Sequence, residues 1–383
     1  MAEAQAQGQA QANVVNVRIE QLLKAMVDNG ASDLHIRVGI APTFRIHGDL
    51  KKLYDIRITH ELMETFLNTI MNQTQKERFE NTMECDFALS ARELGRFRVN
   101  VFRQRGTPAI VFRHINSKIP AFESLNLPEI VLKLSLMRRG LVLVTGTTGS
   151  GKSTCLASMI DNINIQESTH ILTVEDPVEF MHKDKKSIIS QREIGSDSFN
   201  YAAALKAALR QDPDVMLIGE IRDLETMQIA LTAADTGHMV FATIHTTNAT
   251  ETIHRVLSMY PPHQHEEIRL LLASCLQGII SLRLLPRSDG VGRIPAAEVL
   301  VNTAAIKEYI MDKTKTEFIE TAVAEGHLQY KSQTFDQALL GLYNDGKISK
   351  ETALDAATNR DDFELKLRGI TGTSDRGWQV GGN

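Results

Sequence analysis

The N-terminal third of the chain shows first helical and then strand-like spacing of its apolar positions. Between Val14 and Val27, apolar residues recur at helical intervals, which predicts a helix that ends at Asn29-Gly30. From Leu34 to Leu53, apolar and polar residues alternate, which predicts a hairpin of antiparallel strands. The pattern further predicts a helix at 61–80 and strands at 87–89, 96–103 and 109–115.

Farther along the chain, short apolar runs alternate with helical segments. The runs LVLVTG, HILTVED, DVMLIGE and HMVFATIH predict a parallel sheet flanked by helices. Charged and polar residues interrupt the apolar stretch from Ile268 to Leu285, so we predict a buried helix there and not a membrane span. After Thr303 the pattern is that of amphipathic helices, predicted at 305–319, 335–343 and 350–357.

These patterns divide the 383 residues into two domains, as the length itself suggests. The segment between the domains carries Pro120 and little periodicity, which is typical of a linker. The predicted order is a disordered leader at 1–13, an α+β domain at 14–115, a linker at 116–135, an α/β domain with C-terminal helices at 136–370, and a flexible tail at 371–383.

Composition excludes several classes of protein. A net charge of −5 offers no global basic excess for a nucleic acid or an anionic membrane. The three cysteines lie far apart and form no C-x-x-C pair, which argues against a disulfide framework and a cysteine-type zinc site. The N-terminus lacks the features of a secretory signal, so we expect a protein of the reducing cytoplasm.

One segment carries a complete phosphate-binding motif. Residues 146–153 read GTTGSGKS, and they follow the apolar run LVLVT and precede a helical pattern. Glycines let backbone N–H groups face phosphates, Lys152 can reach the β- and γ-phosphates, and Ser153 can bind Mg²⁺. The predicted nucleotide-binding residues are Gly146, Thr148, Gly149, Ser150, Gly151, Lys152, Ser153 and Thr154.

Hydrolysis also needs carboxylates near the water and the metal. The predicted strand after Asp214 ends in Gly219-Glu220, where Asp-Glu is usual, so Glu220 could activate water but the metal-supporting Asp is missing. A second acidic cluster, containing Glu175 and Glu179, follows another predicted strand and could compensate. The alternative for this cluster is a solvated acidic turn.

A histidine and a group of arginines complete the candidates. His245 ends a predicted strand, where it could sense the γ-phosphate or be an ordinary core or surface histidine. His263 and His265 lack a third ligand and are interpreted as part of a loop. Arginines on the predicted strands of the first domain could stabilise phosphate charge in trans or form a solvated face; they are Arg96, Arg98, Arg103, Arg105 and Arg113.

The segments GTTGSGKST, TVEDPVEF, RQDPDVMLIGEIRD and TGHMVFATIHTTNA resemble the Walker A, Asp box, Walker B and His box of the secretion/pilus hexameric ATPases. ASDLHIRVGIAPTFRIHGDL and GRFRVNVFRQRG resemble the N-terminal domain of that family. The resemblance implies a PAS-like N-terminal domain, a RecA-like ATPase domain, a homo-hexamer, and ATP with Mg²⁺. It also assigns roles: Lys152, Ser153 and Thr154 to nucleotide and metal, Glu175 and Glu179 to the Asp box, Glu220 as catalytic base, His245 to the His box, and Arg98 and Arg113 as the arginine pair.

Within the family the chain resembles the type IV pilus retraction motors of the PilT/PilU group. A four-cysteine zinc module, usual in assembly ATPases, is absent. The stretches DFALSARELGRFRV and HKDKKSIISQREIG look nearer PilU, and AIKEYI at 305–310 departs from the corresponding PilT motif. The resemblance therefore implies a pilus retraction ATPase. If the chain is PilU-like, the resemblance implies an accessory role beside a PilT-type partner ATPase.

The implied protein acts in the cytoplasm at the inner face of the cytoplasmic membrane. It would reach the membrane only through an inner-membrane pilus platform protein, and it would bind no nucleic acid directly. Two alternatives stay open: a related type II secretion or DNA-transfer ATPase, and a nucleotide-binding regulatory subunit with little hydrolysis of its own.

Overall fold

A computed structural model describes residues 17–46, 48–115 and 119–369. The predicted leader at 1–13, the tail at 371–383 and the first residues of the linker lie outside this range. The chain divides into two compact units between residues 117 and 118. Each unit is described separately.

The first unit is a six-stranded antiparallel sheet with helices packed against it. The strand order is β3-β2-β1-β6-β5-β4, so the N-terminal strands and the C-terminal hairpin meet at the β1–β6 pair. The elements are α1 Ile19–Asp28, β1 Ala31–Arg37, β2 Thr43–Ile46, β3 Asp49–Lys52, α2 His60–Ile70, α3 Gln73–Thr82, β4 Glu84–Ala91, β5 Gly95–Gln104 and β6 Thr107–Ile115. This arrangement is the predicted α+β class.

The core of this unit follows from alternation along the strands and from helical spacing. Leu22 and Met26 of α1 and Phe66 of α2 are buried against sheet residues such as Phe97 and Phe112. The helix predicted over 61–80 is wrong in one respect, because it is two helices. The first ends at Ile70. Asn72 caps the second by accepting a hydrogen bond from the Gln75 backbone amide, while the Gln75 side chain accepts one from the Asn72 amide.

The second unit is a seven-stranded sheet in the order β13-β12-β7-β11-β10-β8-β9. Its neighbouring strands are parallel except for the antiparallel pair β12–β13. The elements are α4 Ile130–Ser135, β7 Gly140–Thr145, α5 Lys152–Gln166, β8 His170–Glu175, β9 Ile188–Glu193, α6 Tyr201–Ala208, β10 Val215–Ile218, α7 Leu224–Asp235, β11 Met239–Ile244, α8 Ala249–Ser258, α9 His265–Cys275, β12 Leu276–Pro286, β13 Arg293–Val301, α10 Ala304–Met311, α11 Ile319–Glu325, α12 His327–Tyr330, α13 Phe335–Asn344, α14 Lys350–Ala356 and α15 Arg360–Leu367.

Helices cover both faces of this sheet, which explains why its central strands are continuously apolar. One core includes α6, α7, α8 and α9, and the other includes α4 and α5 on the opposite face. The four apolar runs identified in the sequence are confirmed as β7, β8, β10 and β11. The α/β class predicted for this region is therefore confirmed, and the C-terminal helices follow the sheet as expected.

Two element predictions in this unit are wrong. The stretch from Ile268 to Leu285 is not one helix: α9 ends at Cys275 and β12 begins at Leu276. Because β12 is buried on both faces, its apolar run lacks the alternation that identifies a half-buried strand. The helix predicted at 305–319 ends at Met311, and a turn precedes the next helix.

The predicted linker at 116–135 is folded in its second half. Helix α4 occupies its last six residues, and Val131 and Leu134 are fully buried against the sheet. The structure therefore places this helix in the second unit. Periodicity could not reveal it, because six residues contain fewer than two helical turns.

The outer strand β13 is covered at its free edge by a segment that returns to it. The backbone amide of Val299 donates to the carbonyl oxygen of Gln333 at 2.8 Å, and the Gln333 amide donates back at 3.0 Å. The Gln333 side chain also donates to the carbonyl oxygen of Ala297 at 2.7 Å. This segment therefore occupies backbone groups that an edge strand would otherwise expose.

Candidate functional site

The phosphate-binding motif forms the loop between β7 and α5. Gly146 follows the strand, and Gly151 precedes the first helical residue, Lys152. The backbone φ angles of Gly146 and Gly151 are 139° and 99°, in the region that favours glycine. A Cβ atom at Gly146 would lie 2.4 Å from Ser150 Oγ and 2.5 Å from the carbonyl oxygen of Leu282, so only glycine fits there.

Lys152 lies across this loop. Its Nζ donates to the carbonyl oxygens of Gly146 at 2.9 Å and Thr147 at 3.0 Å. Burial lowers the pKa of Lys152, and the charges of Glu220 and Glu179 act in the opposite direction. The nearby carboxylates therefore favour the charged form of Lys152, whose ammonium group lies at the loop.

The topology brings the other candidates to the same edge of the sheet. Strands β7, β8, β10 and β11 are parallel neighbours, so their carboxyl ends lie together. Glu175 is the last residue of β8, Glu220 lies two residues beyond β10, and His245 directly follows β11. In the structure His245 Nε2 is 3.1 Å from Glu220 Oε1.

The carboxylate of Glu220 has a second partner that sequence reasoning missed. Arg222 donates from its terminal nitrogen to Glu220 Oε2 at 2.6 Å. This hydrogen bond, together with the charge of His245, holds the pKa of Glu220 below its usual value. Glu220 is therefore a carboxylate at neutral pH, with one oxygen toward His245 and the other toward Arg222.

Glu175 is held differently from Glu220. Its Oε1 accepts hydrogen bonds from Thr173 Oγ1 at 2.7 Å and from Gln191 Nε2 at 3.3 Å. Burial raises its pKa, although these bonds and one from the Glu179 backbone amide oppose the change. The Glu179 side chain is itself exposed, so the two Asp-box carboxylates lie in different environments.

Gly219, which stands where Asp is usual, lies in a tightly packed part of the strand end. A Cβ atom there would lie 2.9 Å from the Tyr201 hydroxyl oxygen and 3.1 Å from the Cα atom of Glu175. A side chain at this point of the strand end would therefore require Tyr201 or the neighbouring backbone to shift. Glu175 lies on the neighbouring strand, and its role in place of the missing Asp stays a prediction.

The residues at this edge fit a nucleotide and Mg²⁺. Ser150 Oγ is buried and has no hydrogen-bond partner among the described residues, so it is an available group inside the loop. Ser153 and Glu175 line one small cavity of about 40 Å³ beside Gly219. Hydroxyl and carboxylate oxygens are the donors that Mg²⁺ prefers. The exposed Thr148 and Gly149 and the half-buried Thr154 lie in the same loop and the first turn of α5.

The candidate arginines of the first unit lie on neighbouring strands. Arg98 of β5 is directly opposite Arg113 of β6, so both lie on the same face of the sheet. Arg113 Nε donates to the buried Asp33 at 2.8 Å, and Arg45 is 3.9 Å from the same carboxylate. Burial alone would raise the pKa of Asp33, but hydrogen bonds from Ser32 and Arg113 hold it below its usual value.

The other arginines differ from this pair. Arg103 donates to Glu80 at 3.2 Å and lies over the Phe79 ring, which directs it toward α3. Arg105 is in the turn between β5 and β6, with a φ angle of 52°. Arg103 therefore packs within its own unit, whereas Arg98 and Arg113 lie opposite each other on neighbouring strands, and their role as an arginine pair stays a prediction.

The histidine pair at 263 and 265 contributes to structure. His263 lies in a short 3₁₀ turn, and His265 begins α9 with its Nε2 2.9 Å from the carbonyl oxygen of Tyr260. Within the described ranges, the structure contains no group of three or more His, Cys, Asp or Glu side chains arranged to hold a metal ion. A magnesium ion bound with nucleotide would not require such a group.

Comparisons with known proteins show the family to which the chain belongs. The family model for "Type II/IV secretion system protein" matches residues 8–290. The type IV pilus retraction ATPase PilT of Pseudomonas aeruginosa is 42% identical over 345 residues, which cover 90% of this chain and 99% of that protein. The type IV pilus ATPase PilU of the same organism is 39% identical over 352 residues, 92% of each chain. A crystal structure of the pilus retraction motor PilT with bound ADP is similar with a TM-score of 0.84 and 44% identity, covering 92% of this chain and 99% of that one.

A glycine-rich loop, a carboxylate with its histidine, and the carboxyl edge of a parallel sheet define a P-loop ATPase. The chain belongs to the Type II/IV secretion system protein family, and over most of its length it is homologous to the type IV pilus ATPases PilT and PilU. The predicted leaning toward PilU stays a prediction. In the part of the chain that the structure describes, no helix has the length and apolar character needed to cross a bilayer.

Proposed function

We propose that this chain is a hexameric motor that hydrolyses ATP in the cytoplasm to power retraction of a type IV pilus. The observation that carries the proposal is the joint placement of Lys152, Glu220 and His245 at one edge of the sheet. Homology to two pilus ATPases over about nine-tenths of the chain supports the pilus as the system on which it acts.

Each side chain at the edge has a proposed role in hydrolysis. The backbone N–H groups of the loop and Lys152 bind the phosphates, and Ser153 with Glu175 and Glu179 would hold Mg²⁺ or its waters. The metal, when bound, neutralises charge that develops on the phosphate oxygens. Glu220 accepts a proton from the attacking water, because it is ionised at neutral pH. His245 orients the carboxylate through the contact at 3.1 Å.

The arginine pair supports an assembly in which neighbours complete each other's sites. Arg98 and Arg113 lie on one sheet face, and a planar guanidinium suits phosphate oxygens. In a ring, these side chains would reach the nucleotide of an adjacent subunit. The Asp33 carboxylate, which contacts Arg113 Nε at 2.8 Å, would hold that side chain ready.

The proposed partner is a platform protein of the inner membrane, which the ring would turn so that pilin subunits leave the base of the fibre. A PilT-type ATPase is a further proposed partner, because the chain is homologous to both PilT and PilU. Co-purification with the platform protein distinguishes a pilus motor from a secretion motor of the same family. Loss of pilus retraction after deletion of this chain alone would show that its role is more than accessory.

The site assignment is tested with Glu220→Gln. The amide cannot accept a proton from water, so we expect steady-state ATP hydrolysis to fall at least about a hundredfold while ATP binding stays within about threefold of wild type. Glu225→Gln is the matched control, because Glu225 is exposed on α7 and pairs with Lys206. Mass measurements on the nucleotide-bound samples test the ring of six.

Two results would contradict the proposal. Wild-type turnover in Glu220→Gln would remove the catalytic role of Glu220. A wild-type chain that binds ATP as a monomer and never hydrolyses it, with or without the platform protein, would instead indicate a regulatory subunit.

A further inference from the structure

A row of buried polar side chains crosses three strands next to the phosphate-binding loop. Thr145 of β7 is opposite Ser281 of β12, and Ser281 is opposite Glu298 of β13. Thr145 and Ser281 are completely buried, and Glu298 is 6% exposed. Their neighbours on these strands are mostly apolar, so the row is a distinct polar feature of the core.

The row is hydrogen-bonded from the loop to Glu298. Thr145, the residue before Gly146, donates from Oγ1 to Ser281 Oγ at 3.0 Å. Ser281 Oγ in turn donates to Glu298 Oε1 at 3.4 Å. The strand residue that precedes the phosphate-binding loop is thereby connected to the Glu298 carboxylate.

The same carboxylate oxygen also holds the segment that carries His245. The backbone amide of Ala249 donates to Glu298 Oε1 at 2.6 Å. Ala249 is the first residue of α8, and only three residues separate it from His245. A carboxylate at this place satisfies an N–H group that the helix leaves without an internal partner.

Two further contacts make the His245 segment rigid. Thr246 and Thr252 share a hydrogen bond of 2.7 Å between their hydroxyl groups, and the Thr247 amide donates to Glu251 at 2.7 Å. These two contacts fix the segment to α8, while the contact from Ala249 fixes α8 to β13. Through these hydrogen bonds, Glu298 connects the His245 segment to the strand that precedes the phosphate-binding loop. We call this connection the Glu298 joint.

We infer that Glu298 is a positioning residue for ATP hydrolysis, which sets His245 relative to the phosphate-binding loop through Ala249, Ser281 and Thr145. The inference rests on the proposed roles of Glu220 and His245. Glu298 is bonded directly to Ala249 at 2.6 Å, whereas Ser281 and Thr145 lie between it and the loop. We therefore expect its loss to change the placement of His245 more than the binding of phosphate.

The chemistry of Glu298 indicates which replacement preserves this role. Burial raises the pKa of Glu298 to about 7, so the neutral form is present at physiological pH. In that form Oε1 still accepts from Ala249 as a carbonyl oxygen. Gln has the same shape and retains such an oxygen, whereas Ala leaves the buried amide of Ala249 unsatisfied.

The experiment measures kcat for ATP and the affinity for a fluorescent ATP analogue in the full chain, with Glu298→Ala, Glu298→Gln and His245→Ala. We expect Glu298→Ala to lower kcat about tenfold with affinity within about threefold of wild type, and Glu298→Gln to retain at least about a third of wild-type kcat. In a His245→Ala background, Glu298→Ala should cause no further loss, because both changes act through one side chain. Full kcat in Glu298→Ala, or losses that multiply in the double variant, would overturn the inference.

A second variant tests the same joint if Glu298→Ala does not fold. Ala249→Pro removes the N–H donor at the first position of α8 and directs the proline Cδ atom at Glu298 Oε1, so it breaks this contact. The first helical position and the extended backbone of Asn248 suit the φ angle of proline. We expect the same tenfold loss of kcat, and unchanged kcat would overturn the inference. Ala304→Pro, at the exposed first position of α10, is the matched control. A wild-type chain that binds ATP without turnover would contradict the proposed function and this inference together, whereas wild-type turnover with full kcat in Glu298→Ala would contradict this inference alone.

Discussion

Gly219 shows how a single missing side chain determines the arrangement of the carboxylates. The space that a side chain would occupy is filled by the Tyr201 hydroxyl and the backbone of Glu175. The two acidic residues of the site therefore lie on different strands: Glu175 ends β8, and Glu220 follows β10. Because the space at Gly219 is crowded, the carboxylates of the site come from two strands and not from one.

This steric account predicts that Gly219→Ala is destabilising. The added methyl group would meet the Tyr201 hydroxyl at 2.9 Å and Glu175 Cα at 3.1 Å, and overpacking of this kind costs about 1 to 3 kcal/mol. Urea unfolding measures the loss. Tyr201→Phe in the same background should recover part of it, because the hydroxyl oxygen is removed.

The control for this substitution is Gly341→Ala. Gly341 lies inside α13, and no atom of the described residues lies within 4 Å of the position that a methyl group would take. Alanine should therefore be neutral there or stabilise the protein by about 0.5 to 1 kcal/mol. Equal stability of Gly219→Ala and wild type would contradict the steric account.

At the scale of single residues, the sequence predicts those residues that belong to a contiguous motif. Lys152 and Ser153 follow from the glycine spacing, and Glu220 follows from its place after an apolar run. Tyr201 could not be predicted in the same way, because it meets Gly219 only when separate segments come together. Arg222 contacts Glu220 within one segment, but no motif marks it. The one available signal for Arg222 was its spacing of two from Glu220 on an extended segment.

At the scale of elements, the buried helix α4 decides where the second unit begins. Its two apolar residues, Val131 and Leu134, are fully buried, whereas a linker would leave them in solvent. The helix has only six residues, so tertiary packing and not helix propensity stabilises it.

We therefore expect Leu134→Ala to destabilise the protein by about 3 kcal/mol, as for other leucines removed from a closed core. Thermal unfolding followed by circular dichroism measures the change. Met137→Ala is the control, because Met137 is 41% exposed just beyond the helix and should shift stability by less than about 0.5 kcal/mol. A similar small shift for Leu134→Ala would mean that α4 is not part of the core.

The elements also show where periodicity fails as a signal. Strands β7, β8, β10 and β11 are short apolar runs bounded by turns, and the sequence pattern predicts all four. Strand β12 joins α9 without a turn, so the apolar character continues from one element into the next. No local feature of the sequence marks the change from helical to extended backbone at Leu276.

At the scale of the whole molecule, the chain combines a site on one unit with an arginine pair on the other. A change in pattern along the sequence predicts the division into two units, whereas the relation between Arg98, Arg113 and the nucleotide comes only from the family resemblance. Spacing along the chain carries no information about which subunit supplies an arginine. A mixing experiment can supply it.

Two inactive variants should restore activity when they are mixed. Lys152→Ala removes phosphate binding, and Arg98→Ala with Arg113→Ala removes the arginine pair. If the arginines act in trans, a mixed ring contains some intact sites, formed by the Lys152 of one subunit and the arginines of another. We expect ATP hydrolysis well above that of either variant alone.

The control for this experiment mixes Lys152→Ala with Glu220→Gln. These two substitutions damage the same site of one subunit, so their mixture should regain nothing. Mixtures of the first kind that stay inactive, although mass measurements show mixed rings, would contradict action in trans.

The covered edge of β13 limits how copies of this chain can associate. An open edge strand is a template on which another chain can add a strand by main-chain hydrogen bonding. Here Gln333 engages Val299 and Ala297, so that template is already occupied from within the same chain. Another chain that pairs with the backbone at Val299 and the Ala297 carbonyl would therefore first have to displace the Gln333 segment.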